Sequence, residues 1–311
     1  MVFESQHDVV VIYHKNCLDG IAAAWVAWAH YKGNVDLLPM QYGDSLEETF
    51  GPNACALIGK KVYCLDFSFS LEDTKTLMEV CQLIVLDHHE TAVRNLGKIA
   101  LTSIKSAADA GINFLESVQP PPNTIIVDRN YSGAMLSWMW FHGHAEAPYG
   151  IQCVQDRDLW KWQVDGSRQW TAAAFSHELT VENFDMLLMV PPTTTIVEGT
   201  AIQRHMEKTM NVLAKSARRF QLDEYDVPIV NCNALFASDL GAKLAQEEAF
   251  SVTYNDSQNG RQFSLRTSRK DVKVNEIAER FGGGGHPGAA GFRIQFDDDR
   301  FFMSHLEVRS K

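Results

Sequence analysis

The sequence predicts an α/β fold with a parallel sheet, because short β-branched runs alternate with segments of helical length and four of these runs end at acidic or imidazole residues. Short apolar strands separated by helices are typical of a parallel sheet that is covered on both faces. The four runs, with the residues that end them, are DVVVIY with His14, KVYCL with Asp66, LIVL with Asp87 and TIIV with Asp128. VDLLPM at 35–40 is a candidate fifth strand.

The first helix of this sheet follows closely after the first run. GIAAAWVAWAHY is rich in alanine and apolar on nearly all sides, as expected for a helix that packs on a sheet. In open α/β sheets, ligands bind beyond the carboxyl ends of the strands. Because the four strand-end residues all fall at that edge, the pattern itself predicts a binding site there.

The rest of the chain predicts a linker and a second domain. A PPTTT stretch interrupts the chain near 190–200, and residues 200–220 have helical composition. Beyond them, strand-like runs alternate with helix-like segments near 238–249 and at 274–280. We therefore predict a parallel Rossmann-like sheet domain at 1–190, a helical linker at 191–224 and a smaller α/β domain at 225–311.

Composition and charge narrow the kind of partner. The 311 residues carry a formal net charge of -11 and no basic stripe, which argues against a protein that binds duplex DNA. The six cysteines are scattered without a CxxC pair, so neither a disulfide framework nor a thiolate zinc site is indicated. No apolar run approaches the roughly 20 residues that span a bilayer, and the N-terminus does not resemble a signal peptide. We expect a cytoplasmic protein with no membrane partner.

Asp87, His88 and His89 form the sharpest local motif. One acid and two imidazoles at the end of a buried strand would cost several kcal/mol of desolvation unless they are paired or bind a metal. For an isolated tripeptide of this kind, an exposed and merely solvated loop is the simpler interpretation. The metal interpretation gains weight from other candidate ligands in separate segments, which are His14, Asp19, Asp66, Asp128, Asp156 and Asp158.

A mixed set of carboxylates and imidazoles is typical of manganese, magnesium, iron or zinc sites rather than of a zinc finger. Manganese is our first expectation. A pair of such ions lowers the pKa of a shared water and holds a phosphoryl group for in-line attack.

A glycine cluster near the C-terminus is the second motif. Gly282, Gly283, Gly284 and Gly285 precede His286, and the chain then continues into the strand-like FRIQF, which argues against a flexible linker. Glycines permit the close approach and positive φ of a phosphate-binding nest, and His286 can donate to the same phosphate. Arg266 could add a bidentate phosphate contact, although a single arginine is more often a surface residue.

Together, these motifs resemble the DHH phosphoesterase superfamily, in the branch with the DHH-associated C-terminal domain. The resemblance covers nearly the whole chain and rests on HKNCLDG at 14–20, LDFS around Asp66, DHH at 87–89, VQDRDLW at 154–160 and SLR…GGGGHPGAAGF at 264–292. It implies two α/β domains with an active-site cleft between them. It also implies two Mn²⁺ ions on the first domain, with Mg²⁺ or another divalent metal as alternatives, and a second domain that grips a nucleotide.

The resemblance also assigns roles to individual residues. Asp66 looks like the ligand that bridges the two metals, one of which is completed by Asp19, His88 and Asp156. His14 would belong to the other metal. His89 resembles a histidine that contacts the substrate phosphate, and Asp87 would orient an imidazole. Asp128 has no counterpart, and Asp158 is expected to pair with Arg157 or to cap the backbone.

Cys17 departs from the family pattern, because the first motif of the family usually offers an aspartate at that position. A metal deprotonates a coordinating thiol, so Cys17 could still be a ligand. A solitary cysteine after a strand is more often a small packed residue. The metal site built on His14 is therefore the weaker of the two.

The function we expect is metal-dependent hydrolysis of short oligonucleotides or linear dinucleotides of the pGpG or pApA type to nucleoside monophosphates. A pyrophosphatase, a nucleotide bisphosphate phosphatase and a non-catalytic nucleotide-binding regulator are the alternatives, and the resemblance leaves open a homodimer. For the tryptophans in the middle of the chain, packing is favoured over base stacking. These are Trp138, Trp140, Trp160, Trp162 and Trp170.

Overall fold

The computed structural model describes residues 2–101, 123–258 and 260–296, and it divides into two compact units, 1–203 and 204–311. The first unit has a five-stranded sheet in the order β2-β1-β3-β4-β5, and every strand pair is parallel. This confirms the predicted parallel sheet and its fifth strand. The strands are β1 (Val9–His14), β2 (Asp36–Met40), β3 (Lys61–Leu65), β4 (Gln82–Asp87) and β5 (Asn123–Val127).

The register of the sheet places three strand ends at the same level. Tyr13 pairs with Leu65, and Leu65 pairs with Leu86. The next residue of each strand segment is His14, Asp66 or Asp87, so these three lie side by side at the carboxyl edge of the sheet.

Helices cover both faces of this sheet, as the apolar runs predict. Alternate strand residues such as Val11 and Tyr63 pack under one set of helices, and their neighbours Val10 and Val62 pack under the other. All four side chains are almost fully buried. Burial on both faces explains why the strands are apolar without alternation. The helices are α1 (Leu18–His30), α2 (Leu46–Phe50), α3 (Leu71–Val80), α4 (Glu90–Leu96), α5 (Gly133–His142), α6 (Tyr149–Asp158), α7 (Ser167–Ala174) and α8 (Val181–Met189), with a 3₁₀ helix at Pro52–Leu57.

In the part of the second unit that the structure describes, six strands form a mixed sheet in the order β10-β11-β9-β8-β7-β6; β7 and β8 pair in parallel, and the other described pairs are antiparallel. Its helices are α10 (Ala237–Leu244) and α11 (Val274–Arg280), and Phe263, Ile277 and Phe292 lie in its buried core. A second α/β sheet unit was predicted, and the structure confirms it. The strands are β6 (Arg218–Leu222), β7 (Tyr225–Asn231), β8 (Ser251–Ser257), β9 (Gly260–Arg266), β10 (Gly284–His286) and β11 (Ala289–Ile294).

A long helix, α9 (Pro192–Ala214), occupies most of the segment that we predicted to be a linker, 191–224. Strand β6 lies in the remainder of that segment and pairs with β7 in the second sheet. Within the described residues, no helix combines the length and apolarity needed to cross a membrane.

Candidate metal centre

Asp66 lies at the centre of a group of acids and imidazoles at the carboxyl edge of the first sheet. Its carboxylate is 1% exposed, and its Oδ1 lies 3.1 Å from His88 Nε2 and 3.8 Å from His89 Nδ1. Its Oδ2 lies 3.7 Å from His14 Nδ1. Imidazoles at the ends of β1 and β4 therefore converge on the carboxylate that follows β3. The strand-end pattern predicted this proximity.

The backbone of Asp66 takes a left-handed conformation, with φ of 54°. Aspartate is one of the few residues other than glycine that visit this region. The Asp66 amide still donates to the Leu86 carbonyl at 2.9 Å, so the chain leaves the sheet only after this residue. Non-glycine residues in this region often mark functional sites, where neighbouring structure holds them in place.

Asp19 joins the group from the first turn of α1 and is fixed by the N-terminus of α5. Its Oδ2 accepts a hydrogen bond from the Gly133 amide at 2.6 Å, and its Oδ1 accepts one from the Ala134 amide at 3.0 Å. A helix N-terminus supplies free N–H groups and a favourable dipole for an anion. This contact holds Asp19 Oδ2 at 3.7 Å from His88 Nε2.

Asp158, the last residue of α6, completes the surroundings of His88. Its Oδ2 lies 3.5 Å from His88 Nε2, and its side chain is 26% exposed. His88 therefore faces three carboxylates, from Asp19, Asp66 and Asp158.

Asp87 and His89 form a close pair beside this group. Asp87 Oδ1 accepts hydrogen bonds from the amides of His88 and His89 and lies 2.7 Å from His89 Nδ1. Burial opposes ionisation of Asp87, but the His89 imidazole outweighs it and lowers the pKa of this carboxyl to about 2. Because Asp87 contacts Nδ1 of His89, it holds the imidazole ring with Nε2 pointing away from Asp87.

The electrostatics of the group favour a bound cation. Burial and the carboxylates of Asp66 and Asp158 raise the pKa of Asp19 well above its ordinary value. Burial opposes protonation of His88, yet the carboxylates of Asp158, Asp66 and Asp19 together raise its pKa well above the ordinary value for histidine. Both shifts indicate that the packed carboxylates need positive charge, which a proton or a divalent cation can provide.

The donor atoms fit a divalent metal. Among the residues that the structure describes, three overlapping groups of side chains could hold a metal, and within each group the ligand atoms lie within 4.8 Å of one another. His14 Nδ1 and Asp66 Oδ2 are buried, face each other and have no hydrogen-bond partner. Buried polar atoms are rarely left without partners, so a metal between these two atoms would satisfy both. The three groups are His14, Cys17 and Asp66; Asp66, His88 and His89; and Asp19, His88 and Asp158.

Cys17 belongs to the first of these groups, as the cap residue before α1. Burial and the carboxylates of Asp66, Asp19 and Asp158 raise the pKa of its thiol well above the ordinary value. Without a metal, Cys17 is therefore a neutral thiol, and only a bound cation would make it a thiolate ligand.

The second unit carries the glycine motif as part of a hairpin. Gly284–His286 is strand β10, which pairs with β11, and Gly282 and Gly285 have φ of 80° and 140°. A Cβ on Gly283 would lie 2.1 Å from the Gly291 carbonyl oxygen, so close strand packing alone requires a glycine there. Arg266 ends β9 and donates to Ser238 Oγ at 2.8 Å. Phosphate binding by Arg266, Gly282–Gly285 and His286 stays a prediction.

Comparison with known proteins identifies a domain in the second unit. Residues 234–302 match the family model of the DHHA1 domain, and they follow a first unit whose central motif is the Asp87-His88-His89 triplet. The second unit therefore carries a DHHA1 domain.

Three individual proteins show the range of the likeness. An uncharacterized protein of Acanthamoeba polyphaga mimivirus is 25% identical over 93% of this chain and 68% of its own length. The DHH domain of a member of the s1p family of ribosomal proteins is 12% identical, with a TM-score of 0.50 over 92% of this chain and 82% of that one. RecJ from Thermus thermophilus, in complex with Mn²⁺, is 13% identical, with a TM-score of 0.49 over 94% of this chain and 50% of RecJ.

Two acidic residues at the end of α6, Asp156 and Asp158, have surroundings opposite to those predicted from the sequence. Asp156 is not among the three candidate metal groups of the described residues; its carboxylate accepts hydrogen bonds from the amides of Gln163 and Val164 and from Ser167 Oγ. Asp158, expected to be a pairing or capping residue, is the one that approaches His88. Residues two apart on a helix point in different directions, so only one of them can face the centre.

Sequence reasoning missed two further neighbours of the centre. A Cβ on Gly133 would lie 2.4 Å from Asp66 Cβ, which shows how closely α5 approaches the central carboxylate. The ring of Tyr42 lies 5.5 Å from that of His14 and 5.6 Å from that of His89. Neither residue had a signal in the sequence, because both contacts join segments that are distant along the chain.

Asp128, the residue at the fourth predicted strand end, accepts hydrogen bonds from the backbone and side-chain nitrogens of Asn130.

Proposed function

We propose that this protein is a metal-dependent phosphodiesterase that hydrolyses short oligonucleotides or linear dinucleotides of the pGpG or pApA type to nucleoside monophosphates. The observation that carries the proposal is a set of three overlapping ligand groups, two of which share Asp66 and two of which share His88, in a chain that matches the DHHA1 domain. Two such groups that share a carboxylate suit a pair of ions.

His14, Cys17 and Asp66 would hold one ion, and Asp19, His88 and Asp158 would complete a second site with Asp66. Mn²⁺ is the ion we expect, with Mg²⁺ or another divalent metal as alternatives, since the donors are oxygen and imidazole nitrogen with a single sulfur. Bound at such a site, divalent cations stabilise charge on the phosphoryl oxygens and lower the pKa of a water.

The residues of the chain have separate tasks in this proposal. Asp87 fixes the ring of His89 through Nδ1 and, against the effect of burial, raises its pKa, so that Nε2 of the protonated ring can donate to a phosphate oxygen of the substrate. The amides at the start of α5 fix Asp19, and the buried position of Asp66 keeps its carboxylate from turning to solvent. Pre-organisation of this kind reduces the reorganisation that accompanies the reaction.

The second unit is proposed to bind substrate phosphate through Arg266, the Gly282–Gly285 segment and His286. Arginine suits a bidentate phosphate contact, and glycine lets the backbone approach closely. The net charge of -11 favours a short substrate, because a long nucleic acid would require many cationic contacts.

A hydrolysis panel tests the proposal. Purified protein is incubated with Mn²⁺ and with pGpG, pApA, longer RNA, cyclic dinucleotides, nucleotide bisphosphate and pyrophosphate. We expect nucleoside monophosphates from the linear dinucleotides, and we expect Asp66→Ala to lose about 10³-fold or more of this activity. Release of inorganic phosphate alone would instead identify a pyrophosphatase or bisphosphate phosphatase.

Asp8→Ala is the matched control for Asp66→Ala. Asp8 precedes β1 at the opposite edge of the sheet, and its side chain is fully exposed. We expect it to have wild-type activity. If Asp66→Ala remains folded and turns over substrate as fast as Asp8→Ala, the proposed centre is not the catalytic one. Tight binding of dinucleotides without turnover by the wild type would favour a nucleotide-binding regulator.

A further inference from the structure

The loop that follows Asp158 carries two tryptophans in an unusual backbone conformation. Trp160 and Trp162 both have φ of 54°, in the left-handed region that bulky residues rarely adopt. Such strain persists only where the surrounding structure enforces it. The loop is therefore held in this shape by specific contacts.

Asp156 provides most of these contacts. Its carboxylate is buried and accepts hydrogen bonds from the amides of Gln163 and Val164 at 2.7 and 3.1 Å and from Ser167 Oγ at 2.5 Å. Its carbonyl oxygen accepts the Lys161 amide at 2.9 Å. One buried acid thus ties together both sides of the loop.

The loop presents a cluster of aromatic rings and arginines. The rings of Trp160 and Trp162 are edge-to-face with centroids 5.0 Å apart, and Arg157 lies 5.6 Å from the Trp162 ring. Arg168 stacks on Trp162 at 3.8 Å. Arg157 also lies 4.7 Å from the ring of Phe175. Rings and guanidinium groups together are the groups that bind nucleotides, through base stacking and through charge.

Trp160 is the member of the cluster that is open to a ligand. It is 41% exposed, whereas Trp170, a packing tryptophan of the same unit, is 1% exposed. Trp162 is covered on one face by Arg168, and its Nε1 is buried. Trp162 therefore supports the cluster, and Trp160 offers its ring.

Trp160 also lies close to the metal centre. It is two residues beyond Asp158, which limits the separation of their Cα atoms to about 7 Å. Asp158 itself is 3.5 Å from His88. This short backbone separation would allow the base of a nucleotide with its phosphate at the centre to reach the Trp160 ring.

We propose that Trp160 stacks on a base of the nucleotide substrate and that Asp156 positions it by fixing the loop. This inference rests on the proposed function, since it requires a substrate with a base next to the scissile phosphate. It makes Trp160 a specificity-determining residue that selects nucleotides over phosphodiesters without a base.

Steady-state kinetics with a matched pair of substrates tests the proposal. For pGpG, we expect Trp160→Ala to raise KM about tenfold or more and to change kcat little, because stacking contributes about 1–3 kcal/mol per base. Trp160→Phe should restore most of the affinity. For the doubly abasic analogue of pGpG, wild type and Trp160→Ala should have the same KM. Met189→Ala, which truncates another exposed apolar side chain of the same unit, is the control for pGpG.

Two results would overturn the inference. One is an unchanged KM for pGpG in Trp160→Ala. The other is an equal defect of this variant on the abasic analogue, which would indicate a structural role. If the wild type binds pGpG without hydrolysing it, the proposed function fails, and calorimetric binding of pGpG and the abasic analogue to both proteins decides the inference. If the wild type neither binds nor hydrolyses pGpG, both proposals fail.

Discussion

Replacement of Gly133 by alanine tests how tightly the fold holds Asp66. Gly133 is the first residue of α5, and a Cβ there would lie 2.4 Å from Asp66 Cβ and 2.9 Å from Asp66 Cγ. These distances fall about 0.6–1.6 Å short of the roughly 3.5–4.0 Å of ordinary carbon–carbon van der Waals contact. The helix cannot easily retreat, because the Gly133 amide donates to Asp19 at 2.6 Å. The added methyl group must therefore displace Asp66, Asp19 or both.

The size of the effect follows from this geometry. Overpacking of a buried site costs about 1–3 kcal/mol of stability. A displacement of this order at a central carboxylate should also lower Mn²⁺ affinity about 10–100-fold, the range found when the supports of metal ligands are removed. Activity should fall about 100-fold, since a misplacement near 1 Å is sufficient for such a loss.

The assay for Gly133→Ala combines three measurements: urea unfolding of the metal-free protein, calorimetric titration with Mn²⁺, and hydrolysis of pGpG. Gly288→Ala is the matched control, because its Cβ would meet nothing closer than 3.6 Å. It should change stability by less than about 0.5 kcal/mol and leave Mn²⁺ affinity unaltered. If Gly133→Ala equals Gly288→Ala in both stability and Mn²⁺ affinity, the close packing of α5 on Asp66 does not support the centre.

Three further predictions concern charge. The pKa of His88 is raised in the folded state above its ordinary value of 6.5. The metal-free protein should therefore lose stability as the pH rises from about 6.5 through the folded-state pKa. The affinity for Mn²⁺, measured by calorimetry, should rise over the same pH interval, because the competing proton is lost. Asp158→Asn should lower Mn²⁺ affinity about 10–100-fold. Asp156→Asn should leave Mn²⁺ affinity unchanged and lower the free energy of unfolding in urea by about 1–3 kcal/mol. The reverse pattern would make Asp156 the ligand. Asp36 accepts hydrogen bonds from Ser5 and His7, which lower its pKa against the opposing effect of burial. Asp36→Asn should therefore lower the free energy of unfolding by about 1–2 kcal/mol at pH 7. In unfolding titrations, this difference from the wild type should disappear as the pH falls below about 4.

The strand ends of the first sheet could be predicted from the sequence because two simple rules act together there. Parallel strands are apolar runs of limited length, and polar residues that end them meet at one edge. His14, Asp66 and Asp87 obey both rules, and the register of the sheet brings them level. The fourth strand end, Asp128, obeys the same rules but uses its carboxylate to hold Asn130. A polar residue at a strand end is therefore a candidate site residue, and its hydrogen-bond partners determine whether it takes part in the site.

The distinction between Asp156 and Asp158 could not be predicted for a different reason. Helical geometry requires the two side chains to diverge, but it does not say which one faces the centre. That choice depends on where α6 ends and on the backbone of the following loop, which Asp156 itself organises. Gly133 was missed because its importance arises from a contact with Asp66, 67 positions away in the chain. Such contacts have no local pattern.

The end of α6 connects the metal centre with the loop that carries Trp160. Asp158 faces His88 while Asp156 holds the strained loop, so the distance from ring to centre depends on a few residues of fixed backbone. Strain in such a loop lowers stability, and ordinary packing of a half-exposed tryptophan would not require it. The strained backbone fixes the position of the Trp160 ring, which would contribute to substrate recognition if the ring must lie at a set distance from the phosphate. On this reasoning, Asp156→Asn should raise KM for pGpG without weakening Mn²⁺ binding, because the ring loses its fixed position while the ligands keep theirs. Unchanged KM in a variant that has lost stability would separate the loop from substrate recognition.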